Sequence, residues 1–175
     1  MLQTFYPGEY VNSTYQIDFD SLYQKGYRGV IFDIDNTLVR HGEPADARAK
    51  KLFAHLKKLG FACCLLSNNK EPRVAMFNKD IKVCSIHKAH KPRTGSYKKA
   101  MQLMGTDVGN TLFVGDQIFT DVWGANRTGI HTILVKPIHP KEEIQIVLKR
   151  IPEKWILHCY QRWLTHNVRR ERTKR

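Results

Sequence analysis

The segment Gly29-Val-Ile-Phe-Asp-Ile-Asp35 runs from uninterrupted apolar residues into two aspartates one position apart, followed by Asn36 and Thr37. Residues two apart in an extended chain point to the same side, so Asp33 and Asp35 face one site. Burying two like charges uncompensated is costly, and nothing in the neighbouring sequence offsets them; a cation is the simplest remedy. Polar groups recur at the ends of later apolar runs: Ser67-Asn68-Asn69, then Lys91 before Pro92, then Gly115-Asp116-Gln-Ile-Phe-Thr-Asp121. If these ends converge, one site holds three or four carboxylates, a hydroxyl with neighbouring backbone N–H groups, and an ammonium. Hard oxygen ligands suit Mg²⁺, while Lys91, Ser67 and N–H donors suit the oxygens of a phosphoryl group.

Each residue also has an ordinary use. Asp121 is a good helix cap, Ser67 and Asn68 are common loop residues, and Lys91 stands near Lys88 and His90, any of which could be solvated. What favours a site is their joint occurrence, in order, at the ends of runs that read as parallel strands.

Those runs are Gly29 to Asp35, Phe61 to Leu66, Ile81 to Ser85, Thr111 to Val114 and His131 to Val135. Helical patterns fill the intervals. Leu52, Phe53, Leu56 and Leu59 share a face closed by Gly60; Glu71-Pro72 opens a second helix; Tyr97, Ala100, Met101 and Met104 mark a third that stops at Gly105; a fourth is expected around Asp121 to Arg127. Strands alternating with helices predict a three-layer α/β, Rossmann-like domain with a mostly parallel sheet, whose ligands bind beyond the carboxyl ends of the strands. One domain over 1–175 is expected, with a core at about 28–138, an N-terminal segment 1–27 and basic C-terminal helices at 141–170.

The chain carries 29 Lys and Arg against 16 Asp and Glu, a net charge of +13 that attracts polyanions such as nucleic acid or an anionic membrane surface. Cys63, Cys64, Cys84 and Cys159 show no CxxC spacing and read as reduced thiols in a reducing compartment. No apolar run approaches the ~18 residues of a spanning helix, and the N-terminus lacks a signal-peptide pattern, which predicts a soluble, cytoplasmic protein, peripheral at the inner face of a membrane if bound there.

Together the four stations, DxDxT at Asp33 to Thr37, Ser67, Lys91, and GDxxxxD from Gly115 to Asp121, resemble the signature of the haloacid dehalogenase (HAD) superfamily over roughly residues 29–136. With FDIDNTLV, LLSNN, KAHKP and GDQIFTDVWGANRTG, the chain looks like the YqeG-type branch of the class IIIA phosphatases, related to the phosphatidylglycerophosphate phosphatases. That branch commonly reads KARKP, where this chain has His90. The resemblance implies Asp33 as nucleophile forming an aspartyl-phosphate, Asp35 as acid and then base, and Lys91 as the neutraliser of phosphoryl charge. It also implies Mg²⁺ held by Asp33, the Asp35 carbonyl, Asp116 and, directly or through water, Asp121. Thr37, Ser67 and Asn68 fall on the substrate side.

Superfamily members often insert a cap after the first or second station. Here Asp35 to Ser67 is 32 positions and Ser67 to Lys91 only 24, which a helix and a strand consume, so no cap is expected. An uncovered site implies a substrate large enough to cover it: a protein, a nucleic-acid end, or a lipid head group. Residues 141–175 hold ten Lys and Arg against four Glu. Pro152 is expected to divide this tail into two helices. In the second, Ile156, Tyr160, Trp163 and Asn167 form a stripe flanked by Trp155, Cys159 and Leu164, a pattern that either lies in a membrane interface or packs on the domain. Leu2, Phe5, Tyr6 and Tyr10 invite the same pair of readings. The substrate suggested by the resemblance is phosphatidylglycerophosphate; a nucleic-acid or protein phosphatase and a noncatalytic binding module are the alternatives, with no stable protein partner expected.

Overall fold

A computed structural model describes residues 2–139 and 144–173. Six strands make one sheet: β1 (Glu9–Val11), β2 (Gly29–Phe32), β3 (Ala62–Leu66), β4 (Cys84–Ile86), β5 (Thr111–Gly115) and β6 (His131–Val135). Their order is β1-β6-β5-β2-β3-β4 and every pair is parallel. The expected mostly parallel sheet is thus wholly parallel. Strand Ile81 to Ser85 is corrected to Cys84–Ile86, because the preceding helix keeps Ile81 in its last turn. The sequence reading assigned no strand to the N-terminal segment; β1, only three residues long, adds an edge beside β6.

The helices are α1 (Phe19–Gln24), α2 (Ala47–Leu59), α3 (Glu71–Ile81), α4 (Thr94–Met104), α5 (Trp123–Thr128) and α6 (Ile144–Thr173). Alternation along the strands sorts the core into two layers, as a period of two requires. Val30, Phe32, Cys63 and Leu65 point to the layer completed by Phe53 and Leu56 of α2 and Val74 and Phe77 of α3. Ile31, Cys64 and Leu66 point to the other, where Tyr97, Ala100 and Met101 of α4 and Ala125 of α5 cover them. Helix α2 begins at Asp46, whose carboxylate accepts from the Ala49 N–H, and ends at Gly60 in the left-handed region, φ 97°, where other residues are strained. All four cysteines are free, and burial pushes the Cys63 thiol up to about 12, so it is an inert packing residue.

The C-terminal tail departs from expectation. Instead of two helices divided at Pro152, α6 runs through it. Proline removes one ladder bond, but Glu153, Ile156 and Tyr160 just beyond it are buried, and their packing holds the following turns in line. Ile156 joins Ile118, Val122 and Leu134, while Tyr160 meets the Tyr6 ring at 5.5 Å. Phe5 likewise packs on Phe119 and Trp123. Part of the tail's apolar stripe is therefore core. Ile151 and Trp155 are not, at 70% and 57% exposed. The basic side chains from 169 to 175 lie outside the described residues. No described helix is long and apolar enough to cross a membrane.

Candidate active site

The chain leaves β2 for β3 and β4 on one side, then returns through β5 and β6 on the other, so the strand order reverses between β2 and β5. A crevice opens beyond the carboxyl ends at such a reversal, and this is where doubly wound sheets bind ligands. Register puts Phe32 beside Val114, and the Asp33 N–H donates to the Val114 carbonyl at 3.0 Å, so Asp33 and Asp116 leave neighbouring strands together.

Asp121 reaches them through a π-helical turn, Ile118–Val122, in which the Asp121 N–H and Val122 N–H both donate to the Gln117 carbonyl. The expected helix at Asp121 to Arg127 is this wide turn followed by α5. Asp121 Oδ2 accepts from the Gln117 N–H at 3.0 Å, and a Cβ on Gly115 would stand 2.5 Å from that oxygen, so only glycine leaves room for the carboxylate. The turn is braced from outside: the Ile118 N–H donates to buried Glu153 Oε1 of α6 at 2.8 Å, and the Tyr97 hydroxyl donates to the Thr120 carbonyl at 2.8 Å.

Oxygens of Asp33, Asp116 and Asp121 lie within 4.8 Å of one another, all buried. Lys91 Nζ enters this group, donating to Asp33 Oδ1 at 2.6 Å and Asp121 Oδ1 at 2.7 Å. Three carboxylates face one ammonium. Burial first, and then the neighbouring Asp121 charge, push Asp33 up to about 7 against the opposing pull of Lys91. Burial pulls Lys91 down, but Asp121 and Asp33 outweigh it and raise the lysine. Beside burial, the crowded carboxylates contribute to both shifts, since three acids share one ammonium and the cluster is short of positive charge. A buried set of three hard oxygen donors with that deficit fits a divalent cation. Thr37 Oγ1 donates to Asp116 Oδ1 at 3.1 Å, adding an oxygen dipole at the same place.

A second group surrounds Asp35. Arg73 donates to Oδ1 through Nε at 3.1 Å and Nη2 at 2.8 Å; the Gly42 N–H donates to the same oxygen at 2.9 Å, and Asn69 Nδ2 to Oδ2 at 2.7 Å. His41 Nδ1 is 3.6 Å away. Arg73 Nη1 is buried with no hydrogen-bond partner among the described residues, an omission that costs about 1–3 kcal/mol.

Two loops are laced to deliver the remaining residues. Asn69 O accepts from the Lys88 N–H, Ser67 O from the Ala89 N–H, and the Asn68 side chain bonds both backbone groups of Lys91. Ser67 is buried beneath, its hydroxyl accepting from the Asn69 N–H. Lys88 and His90 are exposed with left-handed backbones, φ 46° and 53°, and it is Lys91 that enters the acidic cluster. The structure thus gathers Asp33, Thr37, Lys91, Asp116 and Asp121 in one crevice, with Ser67 just past the end of the adjacent strand β3. Asp35 sits beside it with Arg73, and Asn68 spends its side chain on Lys91. Among the described residues no inserted module stands over the crevice; α2 and β3 fill the first interval, and α3 and β4 the second.

Sequence reasoning missed Arg73, Asn69 as a carboxylate partner, and Glu153. Arg73 left a trace: it is a cation in the first turn of α3, where the helix dipole disfavours positive charge. Glu153 left none, since a Glu on a charged helix ordinarily faces water.

Residues 88–144 match the HAD-hydrolase-like family model. The chain is 35% identical to the probable phosphatase YqeG of Bacillus subtilis, over 93% of this chain and 95% of that protein. It is 28% identical to the chloroplastic/mitochondrial phosphatidylglycerophosphate phosphatase 1 of Arabidopsis thaliana, over 87% of this chain and 46% of that one. Its fold matches the cobalt-bound deoxy-D-mannose-octulosonate 8-phosphate phosphatase of Haemophilus influenzae with a TM-score of 0.53 at 16% identity, covering 63% of this chain and 69% of that chain. With the sheet order, the buried acidic triad and the YqeG likeness along nearly its whole length, the chain belongs to the HAD-like hydrolases, as a phosphatase with no cap domain among the described residues.

Proposed function

We propose that the protein hydrolyses phosphomonoesters with Mg²⁺ through an aspartyl-phosphate on Asp33, and that its substrate is phosphatidylglycerophosphate at an anionic membrane surface. The observation that carries the chemistry is the buried Asp33, Asp116 and Asp121 cluster with Lys91 inside it. Asp33 attacks phosphorus, the ester P–O bond breaks, and Asp35 gives the departing oxygen its proton. Asp35 then takes a proton from water as the water oxygen displaces Asp33. Lys91, with Ser67 and its neighbouring N–H groups, offsets charge on the transferred group, while Thr37 holds Asp116 and Asn68 holds Lys91. Asp33, Asp116, the Asp35 carbonyl and, directly or through water, Asp121 would hold Mg²⁺, which when bound would supply electrostatic stabilisation of the phosphoryl oxygens. Residues 28–138 form the phosphatase core, and the two terminal segments brace one edge of it.

The lipid assignment is supported by the likeness to the Arabidopsis phosphatidylglycerophosphate phosphatase, the net charge of +13, and the exposed Ile151 and Trp155 on a helix bearing Lys154 and Arg162. Such a face suits a peripheral position on anionic lipid. The same charge supports a second reading, a nucleic-acid phosphatase, whose binding would fall steeply with salt.

The test is phosphate release from phosphatidylglycerophosphate in anionic vesicles with Mg²⁺. Asp33→Asn is expected to lower it by on the order of 10⁴ or more, and Trp155→Ser to weaken vesicle binding while sparing turnover of 4-nitrophenyl phosphate. Turnover of the aryl phosphate with none of the lipid removes the substrate assignment and keeps the chemistry. Truncating the tail is a poor substitute, because Glu153 and Ile156 support the turn that carries Asp121.

A further inference from the structure

Arg73 has no part in the reaction as written above, yet its surroundings single it out. It places two of its nitrogens on one oxygen of Asp35, at 3.1 and 2.8 Å, and both side chains are 12% exposed. It does so from the first turn of α3, one residue after Pro72, where only a compensating anion makes a cation favourable. It also keeps buried Nη1 without a hydrogen-bond partner among the described residues. An apolar side chain of similar length would fill this position without that unpaired donor, so packing does not account for arginine.

We propose that Arg73 is a positioning residue that fixes the orientation of the Asp35 carboxyl group, acting through Asp35 and never on the substrate. Oδ1 already accepts from Arg73 twice and from the Gly42 N–H, whereas among the described residues Oδ2 accepts from Asn69 alone. The geometry therefore makes Oδ2 the oxygen that carries the mobile proton: it passes to the ester oxygen as the Asp33–phosphorus bond forms and the ester bond breaks. A planar guanidinium can hold a carboxylate plane in this way, and a lysine ammonium, as a point donor, cannot. Small misplacement of a reacting group is enough to lose about 10²-fold in rate.

The proposal rests on Asp35 serving as proton donor to the leaving group, and the experiment separates the two. In the full chain with Mg²⁺, kcat/KM is measured on an alkyl phosphate, whose leaving oxygen needs a proton, and on 4-nitrophenyl phosphate, whose leaving group departs without one. This parameter reports only steps through phosphoryl transfer to Asp33. Asp35→Asn is expected to lose about 100-fold on the alkyl ester and far less on the aryl ester. Arg73→Met is expected to show the same pattern, at about tenfold or more on the alkyl ester alone, and Arg73→Lys to recover little of it. Added to Asp35→Asn, Arg73→Met should cost less than about twofold further, as for two residues acting as one unit.

Equal losses on both esters from Arg73→Met, or losses that multiply in the double variant, overturn the proposal. If Arg73→Met does not fold, Arg73→Lys alone and combined with Asp35→Asn decides by the same criteria. If Asp35→Asn itself shows no dependence on the leaving group, the reading of Asp35 fails and the proposal fails with it.

Discussion

Asp33 and Asp35 stand two positions apart at the end of one strand, yet their surroundings differ in kind. Asp33 shares a single ammonium with Asp121 and lies among three buried carboxylates, so its environment lacks positive charge and asks for a cation. Asp35 has a guanidinium, an amide and a backbone N–H arranged around it, so its environment is complete and directional. The difference teaches how one DxD pair divides its work. On the mechanism proposed above, the carboxylate that takes up phosphorus is the one left short of partners, and the one that aims a proton is the one gripped.

Three measurements press on this contrast. The largest effect is kinetic: Asp35→Asn is expected to slow phosphate release by about 10²–10⁴ with the fold retained, since Arg73 and the Gly42 N–H keep an amide oxygen as acceptor, although Arg73 loses its anion and the thermal midpoint falls. A loss of fold instead would mean that the Asp35 group is structural.

Next, Lys91→Met leaves Asp33 and Asp121 buried without their ammonium, which is expected to destabilise the metal-free protein by about 3–5 kcal/mol at pH 7.5. Added Mg²⁺ should recover part of that, because it supplies charge at the same oxygens. Recovery by Na⁺ at equal ionic strength would argue for screening instead.

The smallest effect is on stability against pH. Asp33 binds its proton with a value of about 7 in the fold against an ordinary 3.8, so the folded state holds the extra proton between those limits. Metal-free stability therefore falls as pH rises through that window, and Asp33→Asn, which carries no charge, should flatten the fall. Mg²⁺ competes with the same proton. At 100 times its Kd it adds about 2.7 kcal/mol, and the gain in thermal midpoint should be larger at pH 8 than at pH 6. A gain independent of pH would place the cation away from Asp33.

How far the sequence could be read follows the same division. Buried parallel strands announce themselves as apolar runs, and Gly60 and Gly105 mark helix ends because left-handed backbone at those positions excludes most residues. The acidic cluster was legible because charges at the ends of such runs have no cheap explanation. Arg73 was harder, since a basic residue near a helix start looks solvated until its anion is known to be there. Strand β1 was not legible: three residues carry too little periodicity, and its partner β6 is more than a hundred residues away. Nor was the split behaviour of the tail, because Ile156 and Trp155 are adjacent apolar residues and only the position of Ile118 decides which one is covered.

The brace between Ile118 and Glu153 also has a meaning in time. A chain made from its N-terminus completes the turn carrying Asp121 before Glu153 exists, and the two residues are 35 positions apart. At 5–20 residues per second, the nascent turn waits about 2 to 7 s for the residue that accepts its first N–H. Until then the acidic turn lacks its outer support, so maturation of the crevice is timed by elongation through a segment that supplies none of the crevice's own carboxylates.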